Sequence, residues 1–574
     1  MKPFIKYILI LILSVVIYQP TLRAQSGDNE IIFKAMNDEL NRNINELMLD
    51  KYKPPFFISY HFYDAQSFYV RASLGSVRYS YEGPNRSLNV RLMIGDYSLN
   101  DENFVSGTQN YQSENRNNLS LPLMNDYSSI RRSFWVMSDQ VYKSALEKYE
   151  QKITALKQQN KEDEEKLDDY SKIPAVNVTL KGVAFNYDKT QWENIAKDLS
   201  AAFKTYGQIN GSSVNITFGK AMVYVISNEG TKLKMPLTIA NISVSANTQA
   251  EDGDQLNDQL SYCALTPDQL PTADKIKQDI KQMAENLTAL RKAPVMGDAY
   301  SGPVIFEGAA VADLCSQKLF RGNGLIASRE PIYAVEKPNQ GSVNKLDSKV
   351  NQKICSENIT IKATPKIKIF NNISLIGSFE IDAEGVVPKD ELVLVDKGIL
   401  KTLLNDRVPT PKVKESNGYC RFGIRGSSVS TQKAPGVINI TYDKGEAMKS
   451  LRKSVLKEAE KSGLEFVYVI RKFESSGNRN SAISKPFSIY KMSVKTGEEQ
   501  LIRSAVISEF QTTAFKQITK GTMEQNVYNT LLNSSVPVSF IVPQALVFGD
   551  ISIEKDKTTK PKLPVVANPV LAQN

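Results

Sequence analysis

Histidine is almost missing from this chain: its 574 residues contain one, His61. Zinc sites rich in imidazole and Ser-His-acid or Cys-His catalytic sites all need histidine. The one available sits in an aromatic, strand-like stretch between Tyr60 and Phe62, where it reads as structural. The four cysteines, Cys263, Cys315, Cys355 and Cys420, lie far apart, which excludes CxxC and CxxxC metal knuckles. If an oxidising compartment pairs all four, three pairings are open. Cys315 shares the apolar side of its helix with Val311, Leu314 and Leu319 and reads as a buried free thiol. Neither GxxxxGK[ST] nor a strand-following GxGxxG occurs, so phosphate-cradling loops are not supported. The charge, +9, comes from 71 basic and 62 acidic residues that are interspersed, so the chain lacks the basic stripe of a nucleic-acid binder. Lys555 to Lys562 reads as a solvated tail. Nothing points to paired-carboxylate hydrolysis, which leaves no signature in sequence.

The chain's only long apolar run is at its start. Residues Met1 to Ala24 combine a basic beginning (Lys2, Lys6), an apolar run (Tyr7 to Tyr18) and a small residue, Ala24, before Gln25. That is the pattern of a secretory signal peptide, with an uncleaved N-terminal anchor as the other reading. Export to the periplasm or the exterior is therefore expected, and no stable membrane insertion after the segment is removed. No later segment reaches the roughly 20 apolar residues of a spanning helix, and no cysteine follows the run to accept a lipid. The length beyond residue 24 predicts about three or four domains.

Periodicity predicts an α+β chain in two parts. An N-terminal α/β region, residues 25–295, divides into a strand-rich part (25–135) and a helical and stranded part (136–295). Alternation over Phe56 to Ile94 puts Phe68, Val70, Ala72 and Leu74 on one face, with a turn at Glu82-Gly83-Pro84-Asn85. Asn100 to Ser129 is polar and reads as a long mobile loop. Ser138 is placed as the N-cap of a long helix carrying Val141, Tyr142, Ala145, Leu146, Tyr149, Ile153 and Leu156. That helix ends in a charged, solvent-projecting stretch near Lys161. A second helix follows through Trp192 to Phe203, then strands at Val214–Phe218, Ala221–Ser227 and Leu237–Ala246, then a helix from Ala273 to Leu290. Arg291 to Ala299 marks the boundary. The C-terminal part, residues 296–574 with a disordered tail from about 555, is predicted as a mostly antiparallel, barrel-like β domain. Its strands are Ile359–Ala363, Ser374–Ile381, Leu392–Val395, Gly436–Thr441, Phe466–Arg471, Phe487–Val494, Glu499–Ile507 and Val536–Val547. One helix, Glu446–Lys461, interrupts them, and Lys495-Thr496-Gly497-Glu498 reads as a hairpin turn.

Within that part, Ser301 to Gln317, SGPVIFEGAAVADLCSQ, has the shape of a strand running into a helix. With FFISYHFYDAQSFYVRASLGSVRYS, SFWVMSDQVYKSALEKYEQKITAL, VPTPKVKESNGYCRFG, PGVINITYDKGEA, PFSIYKMSVKTGEEQLIRSAVIS and VPVSFIVPQALVFGDI in this order, it resembles the TldD/PmbA (TldD/TldE) peptidase family over nearly the whole chain. The resemblance implies an α/β region joined to a β-rich domain. It also implies a pair of subunits, one of TldD type holding zinc and one of TldE type without it, which together admit extended peptides for cleavage.

The departures from the TldD pattern are specific. In a His-Glu-x-x-x-His helix motif the first His position is Glu307, the general-base position Gly308 and the second His position Ala312. The cysteine expected before the late VPVSFIVP strand is absent, the local residues being Asn533, Ser534 and Ser535. Where relatives often read Ser-Asn-Gly-His-Gly-Arg, the chain has Ser416 to Arg421 with Tyr419 and Cys420 in place of His-Gly. A catalytic zinc needs three protein ligands and an open position for water; Glu307 alone does not supply them, and it reads as a carboxylate favoured by the start of a helix. The leading expectation is a TldE-like subunit with no catalytic residues and no cofactor of its own. It would dock a zinc-bearing TldD-type partner and bind extended peptide, with no nucleic-acid role. Gly418 and Arg421 are the candidates for lining the peptide path. Two other readings are a metallopeptidase with a non-standard site and a non-enzymatic envelope binding protein.

Overall fold

The computed structural model describes residues 21–49, 51–106, 119–158, 167–321, 324–334, 346–474, 483–508, 510–558 and 562. Most of the expected signal segment, the charged stretch near Lys161 and nearly all of the tail beyond residue 558 lie outside the described residues. The first helix, α1 (Thr21–Glu46), runs through Ala24. It occupies a region read as strand-rich, although Ile32, Ala35, Met36 and Leu40 recur at helical spacing and are buried. Among the described residues no helix is long and apolar enough to cross a membrane.

The N-terminal half is one long sheet. Strands β1 (Pro55–Ser73) and β2 (Ser76–Ile94) form a hairpin of 19-residue arms. Its turn is at Leu74–Gly75, both at positive φ (48° and 78°), the geometry that matches strand twist in two-residue hairpins. The turn read at Glu82–Asn85 is instead continuous strand. Pro84 pairs with Gln66 there, and among the described residues the backbone partners on the outer side of β2 lie at Arg86 to Leu88, so the missing N–H breaks no ladder.

Helix α2 (Tyr127–Gln158) starts eleven residues before the expected cap. Asp126 accepts the Ser129 N–H at 2.7 Å, while Ser138 lies inside the helix and bonds the Tyr60 hydroxyl at 2.7 Å. Parts of the expected mobile loop are fixed: Asn100 and Asp101 are buried, and fully buried Lys152 donates to Asn100 O, Glu102 O and Asp169. Residues 107–118 of that loop lie outside the described residues.

After α3 (Lys189–Ala201), strands β3 (Gly211–Ser227), β4 (Lys232–Gln249) and β5 (Gln255–Ala264) continue the sheet in the order β2-β1-β3-β4-β5, with the short strand Leu119–Ser120 on the outer side of β2 and Asn177–Thr179 parallel to β4. The two short strands expected at 214–227 are one. Along β1, Ile58, Tyr60 and Phe62 pack under α1 and α2, and Phe68, Val70 and Ala72 pack near α3 and α4 (Ala273–Lys292). Tyr63 and Ala65 point the other way, against Cys420, Phe422 and Ile424 of the second half.

The second half is built mainly on two open, mostly antiparallel sheets sharing one core, and among the described residues no sheet closes into a barrel. The elements are β6 (Tyr300–Glu307), α5 (Ala309–Cys315), β7 (Ile359–Ala363), β8 (Leu392–Asp396), the hairpin β9 (Cys420–Arg425) and β10 (Ser428–Lys433), β11 (Val437–Tyr442), α6 (Met448–Lys461), β12 (Phe466–Phe473), β13 (Pro486–Ser493), β14 (Glu499–Ile502), β15 (Gln525–Leu532), β16 (Val536–Pro543) and β17 (Ala545–Lys555). One sheet runs β8-β7-β11-β16-β15 and the other β14-β13-β12-β6-β17. Among the described residues the two edge strands of each sheet do not pair with each other, and each sheet buries one face against the other. Val304 and Phe306 of β6 meet Val538, Phe540 and Val542 of β16 in that core, and Val311, Leu314 and Cys315 of α5 wedge between. On the outer face, Ile305 packs with Leu451, Val455 and Ala459 of α6.

Two expected strands are broken, at Gln544 and at Ser504 (φ 58°). Of Ser374–Ile381 only Ser374 is in a strand, the two-residue strand Ile373–Ser374. The Lys495–Glu498 hairpin is present between β13 and β14. All four cysteines are free thiols, three of them buried, Cys315 included.

Candidate functional site

Strand β6 delivers Glu307 to the edge of the shared core, and the chain turns into α5 at Gly308. Glu307 is buried, and it is held by ion pairs more than by the helix start. Arg452 of α6 grips it bidentately, Nε to Oε1 at 2.9 Å and Nη2 to Oε2 at 2.7 Å. Arg471 of β12 donates Nε to Oε2 at 3.0 Å. Both arginines also reach Glu499 of β14, Arg452 at 3.0 Å and Arg471 at 2.8 Å. Burial works against the charge on Arg471, but its hydrogen bond to Glu307 and the nearby carboxylates hold its pKa above the ordinary value.

The two neighbouring motif positions are equally committed. Gly308 has φ 61° and ψ −130°, a region essentially reserved for glycine, and donates its N–H to Gln544 O at 3.0 Å. Ala312 is 4% exposed, inside the core. Asp313 stands apart from the Glu307 cluster. Burial raises its pKa to about 6, against the pull of Lys472 and Arg321. The turn Asn533–Ser535 packs on the β9–β10 hairpin, with Asn533 donating to Gln432 at 2.8 Å. It does not join Glu307. Among the described residues no three His, Cys, Asp or Glu side chains come together as a metal site. The chemistry at Glu307 opposes one directly, because two guanidinium cations already hold the carboxylate and would repel a divalent ion. The residues present do not fit the zinc that the TldD pattern implies.

Gly418 (φ 85°) lies against Pro388. Arg421 is buried, stacked at 3.8 Å on Phe379, and donates to Gly377 O and Pro435 O at 3.1 and 3.2 Å. Burial lowers its pKa to about 10. Its guanidinium is engaged with the chain's own carbonyls.

His61 lies on the β1 face that meets the second half, in a cavity of about 50 Å³ lined also by Arg91, Tyr170, Ser227, Thr231, Glu384, Arg407 and Cys420. A histidine and a cysteine share this cavity, yet they do not form a nucleophilic pair. The His61 ring bonds the Tyr63 hydroxyl at 3.1 Å, and burial, then the Glu384 and Asp382 carboxylates, push the Cys420 thiol up, away from the thiolate that reacts. The Ser227 and Thr231 hydroxyls are buried without a partner among the described residues, which suits a cavity with room for a few waters.

Burial, aided by the Arg91 charge, lowers the His61 pKa to about 4. A depressed pKa means that the unfolded chain binds the proton first, so the stability His61 contributes is full above pH 6.5 and lost as pH falls through 4. Replacing His61 by Gln is expected to flatten the decline in unfolding free energy between pH 6.5 and 4 by up to ~3 kcal/mol. Urea melts across that range measure it, and parallel curves for parent and variant would contradict it.

Around the strand-glycine-helix turn, then, the protein is an α+β scaffold with a charge-balanced cluster where a hydrolytic metal centre would need ligands. Residues 299–555 match the PmbA/TldA metallopeptidase C-terminal domain. The chain is similar in structure to a putative modulator of DNA gyrase from Bacteroides thetaiotaomicron (12% identity, TM-score 0.57, covering 92% of this chain and 98% of that one). A putative modulator of a DNA gyrase from Thermotoga maritima gives 12% identity and TM-score 0.56, with 87% and 96% covered. TldE from Thermococcus kodakarensis gives 14% identity and TM-score 0.54, with 90% and 99% covered. At such identities the likeness is one of fold. No curated protein matches the sequence.

Proposed function

We propose that the chain is a TldE-like, metal-free subunit of an exported TldD-type peptidase complex. In this reading it docks a zinc-bearing homologue and helps hold extended peptide for cleavage by that partner. The observation that carries the reading is the state of Glu307: the side chain at the first ligand position is spent on Arg452 and Arg471, and the next two positions offer neither a base nor an imidazole. Likeness in fold to a TldE supports the branch, and the apolar segment at Tyr7 to Tyr18 supports export.

Co-expression with a metal-bearing TldD-type homologue tests it, followed by peptide-cleavage assays on each chain and on the mixture. The chain alone is expected to be inactive, to co-purify with the homologue and to raise its cleavage rate. Oligopeptide cleavage by the isolated chain, with stoichiometric zinc lost to chelator, would show instead a metallopeptidase with a non-standard site. Failure to bind any such homologue would favour a binding protein on the same scaffold.

A further inference from the structure

Four side chains from four elements meet at this centre. The carboxylates, Glu307 and Glu499, are 8% and 19% exposed, and the arginines, Arg452 and Arg471, are 31% and 33% exposed. The acids are thus the inner members and the arginines close over them. Each carboxylate is shared by both arginines, so two positive charges balance two negative ones. Arg471 is further fixed by stacking on Tyr490 at 4.5 Å. Without the arginines, two carboxylates held this close in a partly dry site would repel each other, and only another cation could reconcile them.

We propose that Arg452 and Arg471 are the built-in cation of this centre: they tie β6, α6, β12 and β14 together and, by occupying the carboxylates, keep divalent metal out. The proposal rests on reading the centre as metal-free, and it says what replaces the metal. A guanidinium suits the role because it keeps its charge at every physiological pH and bonds carboxylates in a planar fork.

The test is thermal unfolding of the full chain with EDTA, with millimolar manganese(II) and with neither, for the parent and for R452M/R471M, which keeps the aliphatic stems. The parent is expected to melt at one temperature in all three. The double variant is expected to melt roughly 5–10 °C lower and to recover part of the loss with manganese, which the bared carboxylates can then bind. R471M alone, with a smaller shift of the same kind, serves if the double variant does not fold. A parent that shifts with manganese or EDTA, or a variant that melts like the parent or ignores manganese, would overturn the inference. The melts are read on the isolated chain, so failure to dock a partner would end the functional proposal and leave this one standing.

Discussion

Replacing Arg407 by methionine is expected to lower the unfolding free energy by about 3–5 kcal/mol, the usual effect of leaving a buried charge without its partner. Arg407 is 1% exposed. It bonds Glu229 through both terminal nitrogens at 2.7 Å, donates Nε to Ser171 O at 2.8 Å and stacks at 3.9 Å on Tyr170. Glu229 and Tyr170 belong to the N-terminal half and Arg407 to the second, so these bonds join the halves across the cavity that holds His61. Arg91 repeats the arrangement from the other side, bonding Glu102 and Glu384 around the same tyrosine. Arg407→Lys is expected to restore only part of the loss, since a point charge cannot reproduce the two-pronged bond. R407M/E229Q should recover more, because no lone carboxylate remains. Urea titration followed by tryptophan fluorescence reads the stability, and limited proteolysis reads whether the halves separate. An R407M protein as stable as the parent would mean that the apolar contacts of Tyr63 and Val225 with Cys420 and Phe422 hold the halves together unaided.

The elements that could be read in the sequence are those whose pattern is local. Helix α4 announces itself through Ile276, Ile280, Met283, Leu287 and Leu290, all buried, and the β6-to-α5 turn through a glycine between an apolar strand and an apolar helix. What could not be read depends on distant partners. Glu307 finds Arg452 and Arg471 at separations of 145 and 164 residues, and no periodicity encodes such an encounter, so a helix-dipole role is the nearest local reading. Arg421 shows the same effect with the opposite sign. An arginine beside a glycine turn reads as a group lining a peptide path, yet Phe379 and several carbonyls enclose it. Ser138 reads as a cap because serine favours caps; only the Tyr60 hydroxyl explains it inside a helix. Gly83-Pro84 reads as a turn because nothing local says that, among the described residues, the strand's outer side has no backbone partner there.

Writing the histidine motif back into the chain, as E307H/G308E/A312H, is expected to yield neither stoichiometric zinc nor peptide hydrolysis, and to lower the melting temperature by roughly 5–10 °C. Each position resists for its own reason. A histidine at 307 would face Arg452 and Arg471 with one carboxylate gone, and the excess positive charge disfavours both imidazolium and a divalent ion. A histidine at 312 would add a ring to a core that packs Leu314, Cys315 and Phe540 together, overfilling it at about 1–3 kcal/mol. The obstacle at 308 is the backbone and not space. A Cβ there would meet only the Tyr528 hydroxyl, at 3.7 Å, but φ 61° with ψ −130° strains any L-residue by about 1–3 kcal/mol. Removing the arginines as well would relieve the first difficulty and leave the third, so the five-fold variant is also expected to lack a working base. Metal analysis after dialysis and differential scanning calorimetry decide it. Zinc bound one to one in the triple variant would show that the turn at Gly308 yields to its ligands, and the centre would then be a site recently emptied and not one rebuilt around arginine.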